Sequence, residues 1–203
     1  MWRAPARCGR FAVVGLALLA GCRTAPPMVV VGPGADAPWR LQRSALEKLD
    51  MYALTGRVAV AANGQGFSAS LRYAQQPRHS DLALDGPLGI GGLRVVLDGD
   101  SLSISTGRGE KLDGMAARTE LERRLGFALP LTELRWWLLG IPAPGEAAVN
   151  ENADSGEIRD FMQNGWRVSI AARAPALGFA LPQRLTAERE GARMKLLVER
   201  WQP

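Results

Sequence analysis

Apolar residues recur at every second position over most of the chain from Tyr52 onward. This period admits strands with one buried face and little else. Leu54, Gly56, Val58 and Val60 share one face, while Arg57 takes the other. Asn63-Gly64 supplies a two-residue hairpin turn, and Phe67, Ala69, Leu71 and Tyr73 form the next inward set, opposed by Ser68, Ser70 and Arg72. The pattern repeats at Leu82 and Leu84, at Leu93, Val95 and Leu97, and at Leu102 and Ile104 among Ser101, Ser103 and Ser105. Asp98-Gly99-Asp100 and Gly107-Arg108-Gly109 join consecutive strands. Later strands follow at about 157–163, at Trp166, Val168 and Ile170 after Asn164-Gly165, at about 181–188, and at Met194, Leu196 and Val198 before Trp201. One polar face per strand predicts an antiparallel sheet with one side in water.

Three segments break the alternation. Trp39, Leu41, Ala45, Leu46 and Leu49 fit one face of an amphipathic helix over 39–49. Thr119, Leu121, Leu125 and Phe127 fit a short helix stopped near Gly126, and Pro130 opens another over 131–139 that Gly140 and Pro142 end. Within it Trp137 is expected to point inward and Trp136 to lie at the margin. About ten strands and three helices without strand–helix–strand alternation predict one curved antiparallel sheet with helices over one face.

The N-terminus reads differently. Arg3, Arg7 and Arg10 precede an apolar run over 11–19, which ends in Leu19-Ala20-Gly21-Cys22. This is the plan of a secretory signal, and the run is too short for the ~20 helical residues that span a bilayer. Leu19-Ala20-Gly21-Cys22 resembles a bacterial lipobox, in which the cysteine is acylated and becomes the first mature residue. We therefore divide the chain into a signal over 1–21, acylated Cys22 with a flexible tether over 22–38, and a domain over 39–203. The tether holds four prolines and two glycines between residues 23 and 38. Arg23 stands where lipoproteins kept in the inner membrane usually carry aspartate, which implies export to the outer membrane.

Composition removes several functions. The net charge of +5, from 25 Lys and Arg against 20 Asp and Glu, falls to +2 once Arg3, Arg7 and Arg10 leave with the signal. Basic residues are scattered singly among acids, so no nucleic-acid partner is expected. Cys8 leaves with the signal, so the mature domain has no disulfide. His79, the one histidine, reads as a surface residue at a strand start, and its solitude argues against zinc sites and histidine-dependent triads. Gly99-Asp100-Ser101-Leu102 spells the nucleophile block of GDSL esterases, but it lies in a hairpin turn with no histidine after it. No enzyme activity, metal or cofactor is expected.

Gly86-Pro87-Leu88-Gly89-Ile90-Gly91-Gly92 is a glycine-rich connection with Leu88 at its tip. Leu88 either projects into solvent with Ile90 or folds back onto the core. Several motifs occur in order: the lipobox, the proline-rich tether, a Trp-led helix, Tyr52-x-Leu54-x-Gly56-Arg57, the Pro87-Leu88-Gly89 loop, the segment from Leu129 to Pro142, and Asn164-Gly165-Trp166. Together they resemble the LolB family, outer-membrane receptors that take lipoproteins from a soluble periplasmic carrier.

The resemblance implies a mainly β fold, a half-open antiparallel barrel of about eleven strands with a short-helix lid over an apolar cavity. It implies that acyl chains of a lipoprotein cargo pass from a LolA-like carrier into this cavity and then into the inner leaflet of the outer membrane, the receptor acting as a monomer. The family's protruding leucine falls on Leu88, flanked by Pro87, Gly89 and Ile90. Its aromatics fall on Trp137 and Trp166, with Tyr73 in place of a frequent tryptophan. With the inward residues Leu71, Leu84, Val95, Leu138 and Val168, these are the expected cavity set. Arg57, Arg72 and Arg94 are equal candidates for carrier contact. A lipoprotein adaptor that binds another outer-membrane protein is the competing reading; it needs no internal void.

Overall fold

The computed structural model describes residue 1 and residues 32–86 and 92–203. Helix α1 (Trp39–Leu46) leads into a meander of β1 (Tyr52–Ala62), β2 (Gln65–Gln76), β3 (His79–Asp85), β4 (Leu93–Asp98), β5 (Ser101–Ser105) and β6 (Lys111–Asp113). Helices α2 (Gly114–Leu125) and α3 (Leu131–Leu138) follow, then a second meander of β7 (Ala148–Glu151), β8 (Ile158–Gln163), β9 (Trp166–Ala176), β10 (Phe179–Arg189) and β11 (Ala192–Gln202). Every pair is antiparallel, and β1 pairs β11 to join the meanders into one eleven-stranded sheet with β6 and β7 at its edges. The chain crosses from one edge to the other through α2 and α3, so the barrel is half open, as the resemblance implied.

The alternation read from the sequence places the core. In β1 the residues from Tyr52 to Ala62 alternate strictly, with Tyr52, Leu54, Val58, Val60 and Ala62 buried. Gly56 belongs to the same face, at a register shift against β11, and a Cβ there would lie 2.2 Å from the Leu197 carbonyl oxygen. A side chain is excluded where the two backbones press together. Asn63-Gly64 and Asn164-Gly165 turn with positive φ at both residues, the geometry a two-residue hairpin needs.

Four differences from the sequence reading have physical reasons. Helix α1 ends at Leu46 rather than Leu49, and Leu41 stands 58% exposed. The buried stripe is Trp39, Gln42, Leu46 and Leu49, because Gln42 satisfies its amide internally and so takes a core position. Helix α2 begins at Gly114, five residues before Thr119, because its first turns carry only Ala117 inward. Strands β6 and β7, of three and four residues, carry no signal in the pattern, because edge strands this short and exposed show no alternation. Residues 32–38, within the expected tether, are tied to the barrel by hydrogen bonds from the Gly32 and Gly34 amides to the Leu177 and Gly178 carbonyls.

The registers define two ends. Tyr52, the Pro77-Arg78, Gly99-Asp100 and Leu177-Gly178 turns, and the β7–β8 connection share one end. Asn63-Gly64, Asn164-Gly165, Glu190-Gly191 and the ends of the β3–β4 connection share the other.

Candidate functional site

The concave face of the sheet and the underside of α3 flank a hollow of about 60 Å³. Val58, Val60, Leu71, Leu82 and Leu84 wall it from the first meander, and Leu185, Ala187, Met194 and Leu196 from β10 and β11. Leu134, Trp137 and Leu138 of α3 form its roof, completed by Leu125 and Leu129. All fourteen lining side chains are apolar, so the hollow offers water no partners and stays dry.

Of the eight residues expected to form the cavity, Leu71, Leu84, Trp137 and Leu138 line the hollow. Tyr73, Val95, Trp166 and Val168 are buried but stand outside the lining. Tyr73 is drawn away by its hydroxyl, which donates to Gln75 Oε1 at 2.5 Å, where Ser80 Oγ also donates at 2.7 Å. Val95 pairs between Leu82 and Ile104, beside strand β5, against which α2 packs. Trp166 packs edge-on against Phe127 at 5.3 Å and beside Trp137 at 6.2 Å, with the Arg189 guanidinium over its ring, and supports the roof from behind. Val168 is fully buried opposite Phe161, which itself meets Trp137 edge-on at 6.3 Å. Trp136 is half-buried under the Arg135 guanidinium at 4.5 Å. Cys22, Pro87, Leu88, Gly89 and Ile90 lie outside the described residues.

The roof is held by a few polar ties at its ends. Trp137 Nε1 donates to Gln163 Oε1 at 2.9 Å, and Gln163 also exchanges two hydrogen bonds with the Ala143 backbone, both 2.9 Å. The Tyr52 hydroxyl donates to the Arg135 carbonyl, and Arg135 Nη1 reaches the Pro77 carbonyl at 3.3 Å. Asn164 Nδ2 meets Glu133 Oε1 at 2.7 Å. Arg173 holds the far end: Nη2 donates to the carbonyls of Gly140 (3.3 Å) and Ile158 (3.1 Å), Nη1 to that of Ala180 (3.1 Å), and Nε faces Glu157 at 2.6 Å. Its guanidinium also stacks on Trp39 at 4.4 Å. Burial lowers the Arg173 guanidinium to about 10 against the pull of Glu157, which leaves it charged at neutral pH.

Burial also raises both tyrosines: Tyr73 is pushed up to about 12, and Tyr52, buried beside it with ring centroids 5.9 Å apart, goes well above the usual value. Both stay neutral donors. Gln42, Gln75 and Gln163 are buried polar residues that a hydropathy pattern does not single out. A glutamine at an inward position of an apolar pattern was their only signal.

Among the described residues no helix is long and apolar enough to cross a membrane. A half-open antiparallel barrel with a dry apolar hollow beneath a short helix defines a class of β proteins built around an apolar interior. The particular family follows from the sequence: a model described as outer membrane lipoprotein LolB matches residues 50–201, and the chain belongs to that family. The chain is 31% identical over 187 residues to the outer-membrane lipoprotein LolB of Stutzerimonas stutzeri, covering 92% of this chain and 91% of that one. It is also 31% identical over 193 residues to that of Nitrosococcus oceani, covering 94% of each. Among solved structures, a DUF1329 family protein from Desulfovibrio piger superposes with a TM-score of 0.54 at 9% identity over 78% of this chain and 88% of that one. A LolA superfamily protein from Nitrosomonas europaea gives 0.48 at 11% identity over 75% and 86%. Membership makes this chain a lipid-anchored outer-membrane lipoprotein of lipoprotein localisation.

Proposed function

We propose that the hollow is the acyl-chain site of a receptor that accepts lipoproteins from a LolA-like periplasmic carrier and releases them into the inner leaflet of the outer membrane. The observation that carries this reading is the wholly apolar lining of a hollow roofed by a separately held helix. A hollow of about 60 Å³ must widen to take a long acyl chain. Cargo is admitted when α3 lifts and Leu134, Trp137 and Leu138 exchange contacts with the sheet for contacts with the chain.

The transfer needs no covalent step. Each methylene buried contributes about 0.8 kcal/mol, so the difference in buried length between carrier, receptor and bilayer sets the direction. Cys22 carries the lipid anchor, more than one acyl chain being needed for stable attachment. Leu88, with Pro87, Gly89 and Ile90, supplies a transient contact with the leaflet. Burying one leucine gains roughly 1.5–3 kcal/mol, a ten- to hundredfold bias at about 1.4 kcal/mol per decade, which aids release without anchoring the domain.

The test is transfer of a radiolabelled acylated lipoprotein from the loaded carrier to the domain freed of residues 1–22. Stoichiometric transfer without nucleotide is expected. Leu88→Glu should keep this uptake and lose insertion into vesicles. A folded domain that takes no cargo overturns the receptor reading and leaves the adaptor as the better account.

A further inference from the structure

The segment before α1 is bound to the barrel rather than free of it. The Gly32 amide donates to the Leu177 carbonyl at 3.1 Å, and the Gly34 amide to that of Gly178 at 2.8 Å. The contact requires glycine on both sides. A Cβ on Gly32 would lie 2.5 Å from the Gly178 carbonyl oxygen and 2.6 Å from the Phe179 ring, and one on Gly178 would lie 2.8 Å from the Gly32 nitrogen. Buried Gln42 fastens the same segment from the helix side. Its Nε2 donates to the carbonyls of Ala35 (2.9 Å) and Ala37 (2.8 Å), while its Oε1 accepts from the Ala180 amide at 2.7 Å. One glutamine thus joins the segment, α1 and β10, and its burial follows from that use.

We propose that residues 32–38 are a strap whose docking on the β9–β10 turn decides which end of the barrel faces the membrane. The proposal rests on the reading that Cys22 is acylated. Docked, the strap leaves ten Cα steps from Cys22 to the barrel, at most ~33–36 Å of chain. Released as far as Pro38, it leaves sixteen, at most ~53–58 Å. Strand β1 has eleven residues, a length of ~36 Å. The docking turn belongs to the Tyr52 end, so a docked strap holds that end toward the bilayer. The Asn63 end, where the β3–β4 connection begins and finishes, reaches the bilayer only with the chain drawn nearly straight. Release of the strap removes that restriction, so the strap is a two-position device that trades one facing end for the other.

The acylated full-length protein in vesicles of phosphatidylethanolamine and phosphatidylglycerol tests this. Exposed Ala153 and Glu190 mark the Tyr52 and Asn63 ends. With Cys22 acylated, Ala153→Cys and Glu190→Cys each provide a single thiol for a donor dye, read against an acceptor dye on the lipid. Energy transfer should be severalfold stronger from position 153, and Gly32→Val, which lies outside the barrel strands, should abolish the difference. Exchange of the Gly34 amide should be slow in the parent and fast in Gly32→Val. Equal transfer from the two positions in the parent, a difference that survives Gly32→Val, or a fast Gly34 amide in the parent overturns the strap alone. Protein that fails to float with vesicles overturns the acylation of Cys22 and the strap's role with it.

Discussion

Gln163 shows how one polar side chain can hold an apolar site in shape. It is 5% exposed, and its amide accepts from Trp137 Nε1 and the Ala143 amide while donating to the Ala143 carbonyl. The indole that forms part of the roof therefore has its orientation set from the end of β8, across a turn from Trp166. Gln163→Leu keeps the bulk and strands these groups. An unsatisfied buried group costs about 1–3 kcal/mol, so the urea midpoint of the domain should fall by at least one such increment. Cargo uptake should fall more than stability, because Trp137 loses its fixed rotamer; unchanged uptake at a lowered midpoint would show that the indole needs no such hold. A sequence pattern could flag Trp137 through its place in the helix, but not Gln163. Nothing local distinguishes a glutamine that accepts two hydrogen bonds inside a core from one that meets water.

At the scale of elements, α3 is eight residues long, too short to be stable by itself. Its place is set by an apolar underside and by ties from Tyr52, Gln163, Asn164 and Arg173. Opening of α3 alone would break these ties and expose Trp137 and Leu138 while leaving the strand pairing intact. Tyr52→Phe removes the hydroxyl that meets the Arg135 carbonyl, a loss of about 1 kcal/mol. Amides over 131–141 should then exchange faster while those of β1, β2 and β11 keep their protection; uniform acceleration would instead show that α3 opens only with the whole domain. The long strands and the start of α3 were legible because period two and Pro130 are local signals. The start of α2, the edge strands β6 and β7, and the membership of the hollow were not. Each depends on what the neighbouring element covers: Tyr73, Val95, Trp166 and Val168 have the same inward phase as Leu71 and Leu84, and only the packing of α2, Phe127 and the Gln75 amide separates them.

For the molecule as a whole, the two tyrosines give a pH dependence with a clear sign. The chain has only two, Tyr52 and Tyr73, and both are buried. Their folded pKa values lie above the usual 10, with Tyr73 at about 12. Below pH 10 both are protonated in the folded and unfolded chain, and stability is unaffected by them. Above pH 10 the unfolded chain loses these protons while the folded one keeps them, so stability falls as pH rises toward 12. The Tm should therefore decline through this window, and tyrosinate absorbance should appear together with unfolding rather than before it. Tyrosinate signal in a still-folded domain would contradict the neutral, buried pair.

The two ends of the sheet order have a consequence for life in a crowded compartment. A half-open barrel leaves a seam without strand pairing, and an unsealed edge invites pairing with another chain. Here the edges are β6, with only Lys111, Leu112 and Asp113, and β7, with Ala148, Asn150 and Glu151 exposed among its four residues. Each offers a neighbour few backbone groups to pair with and places charge beside them. Short, charged edges of this kind make the opening a poor template for polymerisation.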